Sequence, residues 1–515
     1  MSETYTNQEN QGSEFYLMGE EMNPITNSSV GHDAFHWMGE MNKAATVILA
    51  EQAVISAELA KAIGGAVAKV IADGALPNAE RPGNYMIIEK LLVKAGGAEV
   101  TRVHSGRSRQ DMLATTHRLF IRDQLLDSFD SLARLREGLL ELAARHAHDL
   151  VPAYTHNVQA QPTTFGHYLL AFAAAYQRTA TRMREAWARV NLSPLGAAAL
   201  GTSSFAIDRA RLAQLLGFDG VVENSLDANH VAPCDMSIEL AGIVASGALT
   251  GDALISDILG QYRQPTPWIT LREGGLTGSS TIMPQKRNPI VLVAARHLAS
   301  NVLAQTQACL LVAHNIGTGL LEHRGNEALV ALQSMSKFFA MLNSAVRSLQ
   351  LNVPRARAEI DAEYSTTTEL ADVLQRDAGV PFRTGHHFAS ELVNYGRGNA
   401  LWPAQIPFSE AQRIYAEAQR IYTEAAGATP GTDSFLPLSE ARFRQALSPD
   451  NMVRASRGLG GPQPAEVNRM LTERQDALRS DRMWLDDQRQ QLRQCEQLLD
   501  IAFASARGEK MKTSQ

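Results

Sequence analysis

The chain has 515 residues, with 48 Lys or Arg against 54 Asp or Glu, a formal net charge of -6. That length supports one large or two to three smaller domains with sizeable cores, and the absence of a basic run interleaved with aromatics argues against a nucleic-acid surface. Three cysteines, Cys234, Cys309 and Cys495, show no metal-ligand spacing and no even-numbered framework, so a reducing compartment without structural disulfides is expected.

Residues 1–30 are polar, rich in Asn, Ser, Glu and Gly, and short of periodic apolar content, the composition of a flexible tail. The opening MSETYTNQENQGSEF lacks the basic-then-apolar order of a signal peptide, and no continuous apolar run reaches membrane-spanning length, so a soluble cytoplasmic protein with no membrane partner is expected. Beyond the tail, Ala and Leu dominate and period-2 alternation is scarce, which predicts an all-α fold. Leu125, Phe129, Leu132, Leu135, Leu139 and Leu142 recur at steps of three and four, placing one apolar stripe on a long helix expected to stop near Val151-Pro152. No proline interrupts the chain between Pro289 and Pro354, so a second long helix is expected there, broken by Gly317, Gly319 and Gly325. Helices of this length, apolar around much of their circumference, need other long helices to cover them, and oligomerisation is expected.

The segment Leu276–Pro289, LTGSSTIMPQKRNP, packs glycines, hydroxyl residues, cations and prolines between helical regions and reads as a loop. Alone, such a loop is a solvated connector or a generic anion contact. Its residues also resemble the signature loop of the fumarase/aspartase/argininosuccinate lyase superfamily, whose pattern runs Gly-Ser, two residues, Met, two residues, Lys, one residue, Asn. Counting back from Met283 puts the catalytic serine at Ser280, with Lys286 and Asn288 as its partners; counting forward from Gly278 gives Ser279, because this loop is one residue longer. Spacing to Lys286 and Asn288 favours Ser280.

Two further motifs resemble the same family, and the likeness runs over roughly residues 85–480, strongest toward argininosuccinate lyases. His104-Ser105-Gly106-Arg107-Ser108-Arg109-Gln110-Asp111 is similar to the motif that binds a substrate carboxylate, with Gln110 in place of the usual Asn; Ser108, Arg109 and Gln110 are the implied contacts, and arginine forks suit that work. Tyr154-Thr155-His156 with Ala160-Gln161-Pro162 is similar to the Thr-His element, which implies that Thr155 and His156 serve the departing amine and that Gln161 touches substrate. The resemblance implies a carbon–nitrogen lyase that releases fumarate from an N-substituted aspartate with Ser280 as base, acting on a small dicarboxylate. It also implies three helical regions, 31–120, 121–370 with the loop 276–289, and 371–515, assembled as a homotetramer whose sites are shared between subunits. Neither a metal nor an organic cofactor is indicated, since no His/Cys/carboxylate cluster or phosphate loop appears.

The chain also departs from that pattern. Where argininosuccinate lyases carry a Glu that holds the histidine, this sequence reads Ile290-Val291-Leu292-Val293, leaving Val293 at the expected carboxylate. The stretch His314-Asn315-Ile316-Gly317-Thr318-Gly319 lacks the guanidino-binding pattern, and the region around Phe35-His36-Trp37-Met38-Gly39-Glu40 lacks the N-terminal one. These losses fall on the amine side of the substrate, so the expected enzyme has an altered amine. The competing readings are argininosuccinate lyase proper, another superfamily reaction such as a carbon–oxygen lyase or cycloisomerase, and a non-catalytic homologue.

Overall fold

The computed structural model describes residues 32–320, 327–425 and 435–509; the tail expected over residues 1–30 and Gly325 lie outside them. Among the described residues, three helices come first, α1 (Ala34–Glu51), α2 (Ala57–Gly74) and α3 (Tyr85–Gly96). Each begins behind a side-chain cap, such as Asp33 accepting from the His36 amide at 2.8 Å, which satisfies amides that the first helical turn leaves open.

The expected apolar stripe lies on α4 (Arg109–Arg145), a helix of 37 residues that starts in a capping box between Ser108 and Asp111. All six stripe residues are at most 1% exposed. The helix ends at Arg145, before Val151-Pro152. There the chain enters an antiparallel hairpin of β1 (Leu150–Thr155) and β2 (Val158–Thr164). Sequence patterning missed this hairpin.

Five helices then run up and down as a bundle. The second, α5 (Phe165–Val190), lies antiparallel to α4: the Gly166 amide donates to His146 O at 2.9 Å at one end, and Arg118 donates to Arg189 O at 2.7 Å at the other. A crossover segment follows, with β3 (Leu192–Ser193) paired in parallel to β4 (Gly220–Val221) around α6 (Arg209–Leu215). After a π-helical turn at Asp227–Val231, α7 (Ala232–Gln261) returns along α5, with Arg189 paired to Glu239 and Tyr168 donating to Asp257 at 2.7 Å. Next come β5 (Ile269–Leu271), the two short strands β6 (Gly278–Ser279) and β7 (Arg287–Asn288), and α8 (Ile290–Ala313). Helix α9 (Glu327–Ser348) completes the bundle parallel to α4, since Gln124 meets Ser336 and Glu141 meets Arg347. The break between α8 and α9 falls where Gly317 and Gly319 were expected to interrupt the helix.

The chain continues through β8 (Leu349–Leu351), antiparallel to β5, and α10 (Val353–Ala362). A second core, with Leu370, Phe388, Tyr415 and Phe443 among its members, is built by α11 (Thr367–Ala378), α12 (Phe382–Gly398), α13 (Phe408–Ala425) and α14 (Glu440–Ala446). After α15 (Pro449–Ala455), the long α16 (Pro464–Ala506) runs back onto the main bundle and contributes Leu478, Leu485 and Phe503 to its core. There Asp481 accepts from Arg136 at 2.5 Å and from Arg184 at 2.9 Å, tying α16 to α4 and α5.

The stretch Asp227–Gln261 has a mean hydropathy of 1.5 over its most apolar window, and only half of that window is buried. Ile238 and Leu249 of α7, with Val293, Leu310 and Leu311 of α8, face outward. The apolar surface that these helices carry exceeds what one copy of the chain covers.

Candidate active site

The loop 276–289 is a small hairpin. Strand pairing sets Gly278 opposite Asn288 and Ser279 opposite Arg287. Because side chains alternate along a strand, Gly278 and Asn288 share one face while Ser279 and Arg287 share the other. The ladder ends there, and Ser280 and Lys286 lie in the connection beyond it, where the Lys286 amide donates to Met283 O at 3.0 Å. The residues on the Ser279 face have their own partner, as Arg287 pairs with Glu273 at 3.1 Å. A Cβ at Gly278 would lie 2.2 Å from Ile290 Cδ1, so the end of that exposed side chain would have to shift. Ser280 Oγ accepts the Met283 amide at 3.2 Å, and Lys286 stands exposed.

Thr155 and His156 stand at the tip of the β1–β2 hairpin. His156 and Asn157 form its two-residue turn with φ of 52° and 61°, a left-handed pair that hairpins prefer and that non-glycine side chains resist. The turn keeps the imidazole exposed, and among the described residues it has no hydrogen-bond partner. Two residues earlier, Tyr154 anchors the hairpin by donating to Glu359 Oε1 at 2.5 Å and accepting from Trp268 Nε1 at 3.3 Å. Val293 is 58% exposed on the first turn of α8, which supplies no carboxylate to the histidine. Gln161 is exposed on β2, opposite Ala153.

Ser108, Arg109 and Gln110 occupy the start of α4. The preceding Arg107 is buried and committed to the fold, donating to Val103 O at 2.7 Å and Asn42 Oδ1 at 3.0 Å. Arg109 instead heads the helix, where the amide dipole favours anions. Gln110 Oε1 is buried without a hydrogen-bond partner among the described residues.

Residues without a role in the sequence reading gather at this end. Asp111 accepts three amides. Asn229 donates to Ala198 O at 2.7 Å, and the His230 ring bonds Thr318 O at 2.6 Å and Ala199 O at 3.2 Å. The π-helical turn that carries Asn229 and His230 is a feature that recurs near functional sites, and periodicity does not reveal it.

One chain does not bring the three motifs together. The start of α4 is at one end of the bundle, and both hairpins are rooted at the other. At about 1.5 Å per residue α4 is about 55 Å long, and the six residues of β1 could run back at most about 20 Å. No group of three or more His, Cys, Asp or Glu among the described residues could hold a metal ion.

Comparison with known proteins agrees with this architecture. Residues 22–304 match the family model described as Lyase, and residues 364–454 match the one described as Argininosuccinate lyase C-terminal. Fold and match together define a lyase. The argininosuccinate lyase of Methanoculleus marisnigri is 34% identical over 75% of either chain, and that of Halobacterium salinarum is 32% identical over 86% of this chain and 87% of its own. The crystal structure of EDDS lyase in complex with formate superposes with a TM-score of 0.81 at 28% identity, covering 92% of both chains. The 3-carboxy-cis,cis-muconate lactonizing enzyme of Pseudomonas putida, at 20% identity over 86% of this chain and 95% of its own, shares the fold with a TM-score of 0.63. The chain belongs to the argininosuccinate lyase-like branch of the fumarase/aspartase superfamily and is a carbon–nitrogen lyase.

Proposed function

We propose that the enzyme releases fumarate from an N-substituted aspartate, or runs the reverse addition of an amine to fumarate, with Ser280 as the base. The observation that carries this reading is the single hairpin 276–289 that holds Ser280, Lys286 and Asn288, with Ser280 beyond the paired strands and Ser279 inside them opposite Arg287. Ser280, entering as its alkoxide, takes the proton from the carbon next to the carboxylate and becomes the neutral hydroxyl, and the doubly charged aci-carboxylate that results is stabilised by the Lys286 ammonium and the Asn288 amide. The electron pair then forms the double bond as the carbon–nitrogen bond breaks on the opposite face, and His156, supported by Thr155, gives its proton to the departing amine. A serine is a weak base in water, so the step needs the hairpin covered and dry. Ser108, Arg109 and Gln110 receive carboxylates and Gln161 completes the contacts, while Ser279, on the Arg287 face, is left out of them.

The same reading holds the protein to be a cytoplasmic homotetramer with the domain division 31–120, 121–370 and 371–515. Separation of Arg109 from both hairpins supports sites shared between subunits, as do the uncovered apolar faces of α7 and α8. An EDDS lyase variant with bound fumarate, 28% identical to this chain, supports the fumarate half of the substrate. Exposed Val293 supports an amine other than that of argininosuccinate.

The test is to incubate the protein with fumarate and a panel of amines, following fumarate absorbance and adduct mass, with Ser280→Ala as control. An adduct lost in that variant supports the reading. No reaction with any amine, or argininosuccinate cleavage at the rate of the named relatives, overturns the fumarate half or the altered amine respectively.

A further inference from the structure

We propose that Asp111 is a positioning residue, whose ionised carboxylate locks the first turn of α4 and the Gly196–Ala198 turn into one arrangement that sets Arg109 for substrate. The inference rests on the reading of Ser108, Arg109 and Gln110 as the carboxylate contacts. Asp111 Oδ1 accepts the Ser108 amide at 2.8 Å, while Oδ2 accepts the amides of Gly196 at 2.8 Å and Ala198 at 3.0 Å. The residue is 0% exposed. A single side chain thus ties together two segments 85 positions apart in the chain.

The Gly196–Ala198 turn does not hold this shape on its own. Gly196 has a φ of 83° and Ala198 one of 52°, and an alanine in the left-handed region persists only where its surroundings fix it. A Cβ at Gly196 would lie 2.8 Å from Arg209 Cγ, and Arg209 fastens the far side by donating to Val222 O at 2.7 Å and Glu223 O at 2.8 Å. Two amides converging on one oxygen form a concavity that would otherwise take an external anion. Asp111 fills it, so the substrate carboxylate is left to Arg109 and its neighbours.

The cationic groups that face Asp111 are Arg107, on the turn before α4, and Arg209, on α6. Burial nevertheless outweighs them and the three amides and pushes the carboxyl up to about 6. Protonation turns one oxygen into a donor that faces an N–H. As pH falls through about 6, the turn is therefore released. The folded chain takes up this proton before the unfolded one does, whose carboxyl stays ionised down to about 3.8, so this group does not weaken the fold in that window. Geometry is lost while the fold stays intact.

Asp111→Asn and Gly196→Ala, made in the full-length protein, test this by steady-state kinetics and by hydrogen exchange of the Gly196 and Ala198 amides. Asp111→Asn is expected to raise KM for the dicarboxylate at least about tenfold, to change kcat less, and to remove the acidic rise in KM near pH 6. The two amides should lose protection in that variant at every pH, and in the wild type only on the acid side. Gly196→Ala should raise KM but keep the acidic rise, because the carboxylate remains. Wild-type KM together with protected amides in Asp111→Asn would overturn the proposal. Should that variant fail to fold, a wild-type KM and amide protection both flat from pH 8 to 5 would overturn it equally. Exchange needs no turnover, so a wild type inert toward every aspartate derivative would sink the functional reading alone.

Discussion

Arg109 and Arg145 are the two ends of a single helix, and everything proposed for proton removal lies at the Arg145 end. With α4 about 55 Å long and β1 able to reach back only about 20 Å, a site that needs both Arg109 and His156 must take them from different copies of the chain. Arg109→Ala and Ser280→Ala should each be inactive alone. Mixed under conditions that let subunits exchange, they should regain part of the wild-type rate, because some sites then combine two intact motifs. Inactive mixtures that contain demonstrably mixed oligomers would contradict the shared site.

Ser279 of the 276–289 hairpin is paired opposite Arg287, and Ser280 stands beyond the paired strands. Ser280→Ala should lower kcat by roughly a hundred- to ten-thousand-fold, the range for proton-transfer groups. Ser279→Ala, on the Arg287 face, should retain most of kcat. Single-turnover kinetics of both variants would show the reverse order if Ser279 were the base.

Arg136 is 1% exposed and depends on Asp481 for its only ion pair among the described residues. Asp481→Ala leaves a buried guanidinium without a counter-charge, which costs about 3–5 kcal/mol. Denaturant unfolding should report that loss, and an unchanged midpoint would mean that α16 is not held in this way.

The His104 ring stacks on Tyr85 with centroids 4.8 Å apart, and burial, helped by Arg107, pushes it down to about 4. Burial and His32 push His36 down further, to about 3. The folded chain refuses protons that the unfolded chain accepts below about 6.5, so stability is full above that pH and is lost as pH falls toward 4. Asp111 contributes with the opposite sign. Replacing His104 by Phe keeps the ring contact and removes the titration, so Tm should fall less between pH 6.5 and 4 than in the wild type. Thermal scans across that range would detect it.

Gly166 opens α5 against the end of α4 and the turn that follows it, since a Cβ there would lie 2.7 Å from both Ala143 O and Ala147 Cα. Both atoms are backbone, so neither rotates away. Gly166→Ala should lower Tm through displacement of the His156 hairpin, which leaves from the same corner, and should lower kcat with it. A variant with wild-type Tm would show that the corner gives freely.

Much of this was legible in the sequence because helices announce themselves through the spacing of apolar residues. The Leu125–Leu142 stripe is the inner face of α4, and the glycine break between α8 and α9 falls where Gly317 and Gly319 stand. The β1–β2 hairpin was not legible, since its strands lack alternation and its turn is His-Asn rather than a glycine-bearing pair. The role of Asp111 is not legible in the motif, although Ser108 and Asp111 form a capping box, because its partners Gly196 and Ala198 lie far along the chain. Which motif sits at which end of the bundle follows from helix direction, a property of packing that no local pattern encodes.

The bond from the Met283 amide to Ser280 Oγ bears on how the enzyme would respond to reagents. An oxygen that accepts an N–H has one lone pair already committed, so in this arrangement the hydroxyl is a poorer nucleophile than a free serine. Electrophiles aimed at serine should therefore modify the resting protein slowly and gain reach when a dicarboxylate draws the hairpin into a form that breaks this bond. In this form the hairpin is a sheath that would keep the proposed base inert until a substrate is bound.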